Sequence, residues 1–331
     1  MTAGFLDVPV ILPADAPHED WLFARTFGLG GSDVAAACGL NPWKTPFQLW
    51  LEKTRRIEVE FDEAATERMH WGTVLEPVLL REWDERHPEY VLTGGAGVYA
   101  DRTHAWMLAN VDGLAWEYSG ELAGIVEAKT GGHRSAAEWA DDGVPIHYVC
   151  QVQWYMHLLG APRTFLVALL DTNTYLERII ERDDDLIGDL TDGAIEFWSH
   201  VQRDEPPPAD PSEITRRALS RWPSTPGETV DLDPLWHKHL ARRHELSEQI
   251  KLLELERTAI DNRLRAEMGE AEVAHLDGSK VATHKAPAKP SRTVDYAAFA
   301  AEEPDLYTAF VTERPPSRRL TYPTTARRDQ Q

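Results

Sequence analysis

The sequence lacks the features that define several large classes of protein. It has no run of about 20 apolar residues, which argues against a transmembrane helix. Its first segment contains prolines and acids and no basic residue ahead of the apolar patch, so no signal peptide is expected. The only cysteines, Cys38 and Cys150, lie far apart and outside any C-x-x-C pattern. We therefore expect a cytoplasmic protein with free, buried thiols and no membrane partner.

Positive charge is also scarce. The chain has 34 Lys and Arg against 55 Asp and Glu, a formal net charge of -21. A repulsive mean field disfavours loose, non-specific coating of a phosphate backbone. It does not exclude nucleic acid, because a local basic groove can coexist with an acidic exterior. If DNA is the substrate, we expect it to be held in a confined channel.

The remaining composition is that of a globular protein, with 331 residues of which 42% are hydrophobic and 27% charged. Residues 1–20 are predicted to form a loose arm, and residues 21–205 a core domain. Residues 206–232 are predicted to be a proline-rich linker of irregular structure, and residues 233–331 an accessory region. Within the core, the order helix, strands, helix, strand predicts an α/β (α+β) fold with a mixed sheet flanked by helices.

Periodicity indicates the individual elements. Helices are predicted over 47–53, 63–86, 149–159 and 183–201, and strands over 97–99, 107–111, 125–128 and 164–170. Ser32 or Asp33 is expected to cap a short helix over 34–38. Pro77 lies inside the second predicted helix, where proline can kink or split it.

A long charged helix is predicted over about 235–268, followed by a small tail with strand character at 280–283. One face of this helix carries an apolar stripe, formed by Leu246, Ile250, Leu253, Ile260 and Leu264. The stripe is typical of a helix packed on its own domain or on a partner helix. A short coiled coil is less well supported, since the repeat lasts only about three heptads and Arg257 interrupts it.

Two short segments carry the chemistry. Asp112-Gly113 follows an apolar run, and Glu127-x-Lys129 ends another. Alternation along a strand places Glu127 and Lys129 on one face, and a hairpin between the two runs would bring Asp112 beside them. Two carboxylates can hold a hard divalent cation, and an ammonium can orient the attacking water. Taken singly, the first segment is typical of a plain turn and the second of an exposed salt bridge.

Further polar residues flank this pair of segments in the sequence. Glu76 is an acid on the predicted helix 63–86, and Gln151 and Tyr155 stand at i and i+4 on one face of the predicted helix 149–159. Gln151 and Tyr155 could hydrogen-bond a phosphate, a base or Lys129. Each is also typical of an ordinary solvated or amphipathic helix when taken alone.

Together these residues resemble a known family. The order Gly72/Glu76, Asp112-Gly113, Glu127-x-Lys129, Gln151-x-x-x-Tyr155 resembles the PD-(D/E)xK nuclease superfamily. More narrowly, residues 29–36 (LGGSDVAA) and 40–50 (LNPWKTPFQLW) resemble the YqaJ-type viral recombinase family, to which the phage lambda exonuclease is similar. The resemblance covers roughly residues 20–200 and implies a restriction-endonuclease-like core. The superfamily often has proline before its first acid, where this chain has Val111.

The resemblance implies a role for each matching residue. Asp112, Glu127 and the backbone oxygen of Ala128 would bind Mg²⁺ or Mn²⁺, Lys129 would position the attacking water, and Glu76 would support a second ion or its waters. The residues that would contact DNA or phosphate are Arg25, Ser32, Gln151, Gln153 and Tyr155. Arg25 and Ser32 match positions that hold the terminal phosphate of a 5′ end. Some related nucleases use a histidine near His70 as a metal ligand, but nothing else here supports that role.

The function implied is a Mg²⁺-dependent exonuclease that degrades linear duplex DNA from its ends, 5′ to 3′, in phage-type recombination. The resemblance also implies a ring-shaped homo-oligomer, such as a trimer, and a single-strand annealing recombinase as partner, in the host cytoplasm if the protein is phage-encoded. Two alternatives stay open. The same fold can carry an endonuclease, and a nuclease scaffold can serve as a non-catalytic DNA-binding or assembly protein.

Overall fold

The protein is described here as a computed structural model. The structure describes residues 6–57, 62–132, 136–171, 173–222, 224–287, 289, 293–312 and 318–322. The described chain divides into two compact units, and the boundary falls between Ser224 and Thr225. The first unit contains the segments Asp112-Gly113 and Glu127-x-Lys129. Residues 318–322 also belong to this unit, and the Arg318 amide donates to the Ser220 carbonyl at 2.9 Å.

A five-stranded sheet forms the centre of the first unit. Its strands stand in the order β2 (Val91–Gly94), β5 (Gly113–Trp116), β6 (Leu122–Gly131), β7 (Arg163–Leu170) and β8 (Thr174–Glu181). Only β6 and β7 run parallel, and the other neighbours are antiparallel. A parallel pair requires a crossover, which α5 (Ile146–Leu159) provides, preceded by a 3₁₀ segment at Ala136–Asp142. The mixed sheet expected from the sequence is confirmed.

Helices cover both faces of this sheet. On one face lies α4 (Glu63–Arg86), whose Leu79 and Trp83 pack with Val126 and Phe165. The other face is covered by α5, against which α2 (Gly31–Ala37) and α6 (Asp184–Arg203) pack. The helix α3 (Pro46–Lys53) packs in turn against α2 and α6. The helix predicted over 63–86 is confirmed at both ends. It continues through Pro77 without being split.

Side-chain and glycine caps end several of the helices. The Asp62 side chain accepts from the Ala65 amide at 2.7 Å at the start of α4, and Gly160 ends α5 with φ of 68°. At the start of α2 the structure contradicts the expected cap. Gly30 is the N-cap residue, and Asp33 lies inside the helix, where its carboxylate accepts from the Gly30 amide at 3.4 Å.

The N-terminal segment is not the loose arm that the sequence predicted. β1 (Val10–Pro13) pairs antiparallel with β3 (Gly97–Ala100), which pairs in turn with β4 (Leu108–Ala109). Leu12 packs against the cluster around Val98. The next helix, α1 (His18–Thr26), begins before the predicted arm ends. The prediction failed because the apolar run from Val10 to Leu12 pairs with a strand distant in sequence.

The predicted linker 206–232 also contains regular structure. Residues Glu213–Arg221 form α7, capped by Ser212, whose hydroxyl accepts from the Thr215 amide at 3.1 Å. The Thr215 hydroxyl lies 2.8 Å from that of Thr45, next to α3, and Ala218 is buried. Trp222 packs edge-on to Trp50 with ring centroids 5.8 Å apart. Residues 212–222 therefore belong to the first unit, because α7 and Trp222 pack against this unit despite the prolines nearby.

The second unit is described by itself. It contains α8 (Trp236–Met268), the hairpin β9 (Val273–Leu276) and β10 (Ser279–Thr283), α9 (Tyr296–Glu302) and α10 (Pro304–Phe310). The long helix and the strand at 280–283 match the sequence prediction. Met268 is the only buried residue of α8. The apolar stripe from Leu246 to Leu264 is exposed, so it does not pack within this unit, which was one of the two arrangements expected from the sequence. No helix in the described ranges is long and apolar enough to cross a bilayer.

Candidate active site

The two acids predicted from the sequence meet where β5 and β6 diverge. The antiparallel register of β5 and β6 pairs Gly113 with Val126 at the end of the two strands. Asp112 precedes Gly113 and lies one residue beyond this pair. Its carboxylate accepts from the Ala128 amide at 2.9 Å. In a strand, the N–H and C=O of one residue point to the same edge, so the Ala128 carbonyl also faces this side. Asp112 therefore lies beside Glu127 as predicted, but the predicted hairpin is wrong. The run before Asp112 (β4) pairs with β3, and β5, which follows Asp112, forms the hairpin with β6.

Glu127 and Lys129 share the face of β6 that α5 covers. The Lys129 ammonium donates to Glu127 Oε1 at 2.7 Å, and the Gln151 amide donates to the same oxygen at 2.7 Å. Gln151 also donates to the Tyr155 hydroxyl at 3.1 Å. Gln151 therefore binds Glu127 directly, and Tyr155 binds Gln151. Both side chains line the cleft that contains Glu127.

Glu76 completes the group from α4. It is half-buried and lines the same cleft as Asp112, Glu127 and Lys129. The cleft encloses about 430 Å³. Three carboxyl groups and one ammonium therefore border one enclosed space.

This excess of negative charge shifts the ionisation of the acids. Burial, reinforced by the charge of Asp112, raises the pKa of Glu127 to about 8 and that of Glu76 to about 7. Burial likewise raises the pKa of Asp112. Burial opposes the charge of Lys129, but the Glu127 and Asp112 carboxylates outweigh it and raise the pKa of the ammonium. The two carboxylates therefore favour the charged ammonium form of Lys129.

The donor set fits a hard divalent cation. Glu127 Oε2 is buried and has no hydrogen-bond partner among the described residues. An unpartnered buried carboxylate oxygen is costly, and a cation would offset both that cost and the mutual repulsion of the acids. The described residues contain no cluster of three His, Cys, Asp or Glu side chains close enough to form a complete cage. Asp112, Glu127 and the Ala128 carbonyl would then need other ligands, such as water or phosphate oxygens, to complete the coordination shell.

A second group lines the same cleft at the α1–α2 turn. The Arg25 guanidinium donates to Ser32 Oγ at 2.7 Å and to Asp33 Oδ1 at 3.2 Å, and it lies 4.8 Å from the Trp21 ring centroid. Lys53 donates to the other carboxylate oxygen of Asp33 at 2.8 Å. Burial opposes ionisation of Asp33, but Lys53 and Arg25 outweigh it, so the pKa of Asp33 lies well below its usual value.

The α1–α2 turn is fixed against the sheet and against α5. The Leu29 amide donates to the Trp106 carbonyl at 2.7 Å, next to β4. Gly31 lies so close to α5 that an added Cβ would stand 2.4 Å from Tyr155 Cε1. Only glycine permits this approach. Arg25 and Ser32 are therefore placed in the same cleft as the carboxylates.

One predicted contact residue does not reach the cleft. Gln153 is buried on the opposite side of α5, where its amide donates to the Glu181 carbonyl at 2.8 Å and its oxygen accepts from the Asp183 amide at 3.0 Å. Both ends of the side chain bind backbone, which leaves no surface for DNA. The predicted role of Gln153 as a DNA contact is therefore wrong. His70, a residue that sequence reasoning left aside, is not among the residues that line the cleft.

The structure adds site residues that sequence reasoning missed. The Tyr148 ring lies 4.9 Å from the Lys129 ammonium, and Asn110, Trp21 and Thr130 also line the cleft. The first turn of α5 could have suggested Tyr148, because it lies one turn before Gln151. No sequence signal distinguishes Asn110 or Thr130 from other polar residues beside a strand end.

Comparison with known proteins fits this arrangement. The sequence matches the YqaJ-like viral recombinase domain over residues 20–162. An uncharacterized protein of Bacillus subtilis (strain 168), YqaJ, is 31% identical over 301 residues, which cover 89% of this chain and 91% of that protein. The chain belongs to the YqaJ family. The matched domain contains Arg25, Ser32, Glu76, Asp112, Glu127, Lys129 and the helix with Gln151 and Tyr155.

Solved structures show similarity over part of this YqaJ-family chain. An alkaline exonuclease, LHK-Exo from Laribacter hongkongensis, has 23% identity and a TM-score of 0.47, covering 56% of this chain and 93% of its own. A phage related exonuclease from Haemophilus somnus 129PT has 14% identity and a TM-score of 0.40, covering 53% of this chain and 94% of its own.

Proposed function

We propose that this protein is a divalent-cation-dependent exonuclease that degrades linear double-stranded DNA from its ends in the 5′ to 3′ direction. The observation that carries the proposal is the convergence of Glu76, Asp112 and Glu127 around Lys129 in one cleft, with Glu127 Oε2 unpartnered. A carboxylate cluster beside a charged lysine suits hydrolysis of a phosphodiester. Two of the similar solved structures are an alkaline exonuclease and a phage related exonuclease, and we propose an exonuclease activity for this chain as well.

The residues of the chain have distinct tasks in this chemistry. The reaction is an in-line attack by water on phosphorus, with departure of the 3′ oxygen. Lys129, charged and held 2.7 Å from Glu127, would orient the water and offset charge that develops on the phosphate oxygens. Gln151 and Tyr155 keep Glu127 in place, since the Gln151 amide binds both. Preorganised groups of this kind need no rearrangement during the reaction.

The proposed cofactor is Mg²⁺ or Mn²⁺, with two ions in the site. Asp112, Glu127 and the Ala128 carbonyl would hold one ion, and Glu76 would hold the second directly or through water. Held by these residues, such ions would supply Lewis-acid chemistry, polarising the scissile phosphate and lowering the pKa of water.

Arg25 and Ser32 are proposed to select the end of the DNA. A terminal phosphate monoester carries more charge than an internal diester, so a guanidinium and a hydroxyl favour it through charge-assisted hydrogen bonds. Both side chains border the cleft that contains the carboxylates. An end held there would present its nearby diesters to Lys129 and Glu127.

The wider assembly is proposed by family resemblance. We propose a ring-shaped homo-oligomer, such as a trimer, that encloses the duplex, a role in phage-type recombination and a single-strand annealing recombinase as partner. A channel inside a ring would reconcile duplex binding with a net charge of -21.

A digest of defined DNA ends tests the activity. Linear duplexes with a 5′-phosphate or a 5′-hydroxyl, each blocked at the 3′ ends, are incubated with Mg²⁺ or with EDTA, beside a closed circular plasmid. We expect Mg²⁺-dependent loss of the 5′-phosphorylated strand and an intact plasmid. Arg25→Ala should reduce the preference for phosphate. Nicking of the plasmid would support an endonuclease instead, and absence of any Mg²⁺-dependent hydrolysis would support a non-catalytic protein.

A further inference from the structure

A buried lysine lies behind the end-binding residues. The Lys53 ammonium donates to the carbonyls of Arg25 at 2.7 Å and Gly28 at 2.8 Å, and to Asp33 Oδ2 at 2.8 Å. An ammonium has three N–H donors and a neutral amine has two, so three acceptors indicate the charged form. The side chain of Lys53 is 7% exposed. Lys53 therefore cannot contact DNA, and it acts through the groups that it binds.

The charges in this group do not cancel. Arg25 and Lys53 are cations and Asp33 is the anion between them, which gives a formal sum of +1 - 1 + 1 = +1. Asp33 and Lys53 are both nearly buried, whereas the Arg25 side chain is 31% exposed. The uncompensated positive charge therefore resides on the guanidinium that borders the cleft.

Arg25 also keeps donors for a ligand. Its contacts with Ser32 and Asp33 both use Nη2, and within the described part of the chain Nε and Nη1 donate to no protein atom. A guanidinium with two unused nitrogens can bind a phosphate through paired hydrogen bonds. If Lys53 were absent, Asp33 would neutralise Arg25, and this advantage for an anion would be lost.

We propose that Lys53 is a positioning residue for the end-binding subsite, which neutralises Asp33 and so leaves the charge of Arg25 to a terminal phosphate monoester of duplex DNA. By binding the carbonyls of Arg25 and Gly28, it also fixes the chain on both sides of the turn that connects α1 to α2. This inference rests on the proposed function, since it concerns how that site recognises its substrate.

A series of charge variants tests the inference by DNA binding alone. Fluorescence anisotropy in EDTA gives the dissociation constants of duplexes that differ only in a 5′-phosphate or a 5′-hydroxyl. Lys53→Met lowers the formal charge of the group to 0, Lys53→Met with Asp33→Asn restores +1, and Asp33→Asn alone raises it to +2. Arg56→Met is the matched control, because it removes a cation paired with Asp204, outside the group formed by Arg25, Asp33 and Lys53.

The phosphate preference should follow the local charge. We expect wild type and Arg56→Met to prefer the phosphorylated end by roughly 10-fold to 100-fold, as for a charge-assisted hydrogen bond. Lys53→Met should bind both ends about equally, and the double variant should regain most of the preference. Asp33→Asn should equal or exceed wild type, and this comparison applies even if Lys53→Met does not fold, as checked by thermal unfolding.

Three outcomes would overturn the inference. Lys53→Met could retain the wild-type preference for the phosphorylated end, or the folded double variant could show as little preference as Lys53→Met. Wild type could also show no preference for that end. The second result would show that Lys53 does not act by offsetting the charge of Asp33. Because binding is measured without hydrolysis, a protein that discriminates ends but cuts no DNA would contradict the proposed nuclease activity and leave the inference intact.

Discussion

The contact between Gly31 and Tyr155 gives the sharpest test of the structure. An added Cβ on Gly31 would lie 2.4 Å from Tyr155 Cε1, 2.8 Å from Cζ and 3.1 Å from Gln151 Cγ. Ordinary van der Waals contact begins at 3.4 Å, so the nearest atom is too close by 3.4 - 2.4 = 1.0 Å. The Tyr155 ring is buried and cannot move freely. Gly31→Ala should therefore lower the free energy of unfolding by about 1–3 kcal/mol, as overpacking does elsewhere.

The same substitution should also reduce activity. Tyr155 and Gln151 form the hydrogen-bonded pair behind Glu127, so a displaced ring moves the carboxylate. A misplacement of about 1 Å at a catalytic group can cost about 100-fold in rate. We expect a loss of that order in the digestion of linear duplex.

Gly188→Ala provides the matched control. Gly188 lies inside α6, is exposed and has no atom within 4 Å of an added Cβ. Alanine there should raise the free energy of unfolding by roughly 0.5–1 kcal/mol through helix propensity. Both glycines lie in the same unit, so urea unfolding followed by tryptophan fluorescence reports both. A Gly31→Ala protein as stable as Gly188→Ala would refute the close packing of α2 on α5.

Two further predictions concern the carboxylate cluster. Lys129→Met should reduce cleavage of linear duplex by at least about 100-fold while DNA binding persists, because the ammonium acts on the transition state. An unchanged rate of cleavage in a gel assay would contradict the assigned site. Glu127→Gln should abolish cleavage. In EDTA, the free energy of unfolding of wild type should fall relative to that of Glu127→Gln as the pH rises from about 5 to about 8, because burial raises the pKa of Glu127 to about 8 and its ionisation then opposes folding. A difference between the two proteins that stays constant over this pH range in urea unfolding would refute the raised pKa.

The catalytic segments could be predicted because their geometry is local. Alternation along β6 is enough to place Glu127 and Lys129 on one face, and Asp112 needs only a hairpin of neighbouring strands to reach them. Glu76 could be predicted for a similar reason, since the helix that carries it is long and strongly signalled. In these cases a few residues of sequence determine the relative positions of the side chains.

Other elements could not be predicted from local sequence. β5 is a four-residue strand buried on both faces, so it shows no alternation. The sequence analysis also missed β2 and β8, and it assigned β1 to a loose arm because the pairing of β1 with β3 joins segments far apart in the chain. Long-range pairing leaves no periodic signal within the segment itself.

Gln153 shows why the DNA contacts were harder to assign than the acids. α5 packs between the sheet and two other helices, so it is buried on almost every side. Polarity then cannot show which face a residue occupies. Gln151 and Gln153 look equivalent in the sequence, yet one binds Glu127 and the other binds the backbone at the end of β8. Only the packing of the helix separates their roles.

The two groups in the cleft carry opposite formal charges, and this bears on how an acidic protein can bind DNA. Glu76, Asp112 and Glu127 with Lys129 sum to -3 + 1 = -2 when all are ionised, whereas the Arg25 group sums to +1. Under the proposed function, the Arg25 group would attract phosphate and would favour a terminal monoester, which carries more charge than an internal diester. The net charge of -21 would at the same time disfavour binding along the duplex.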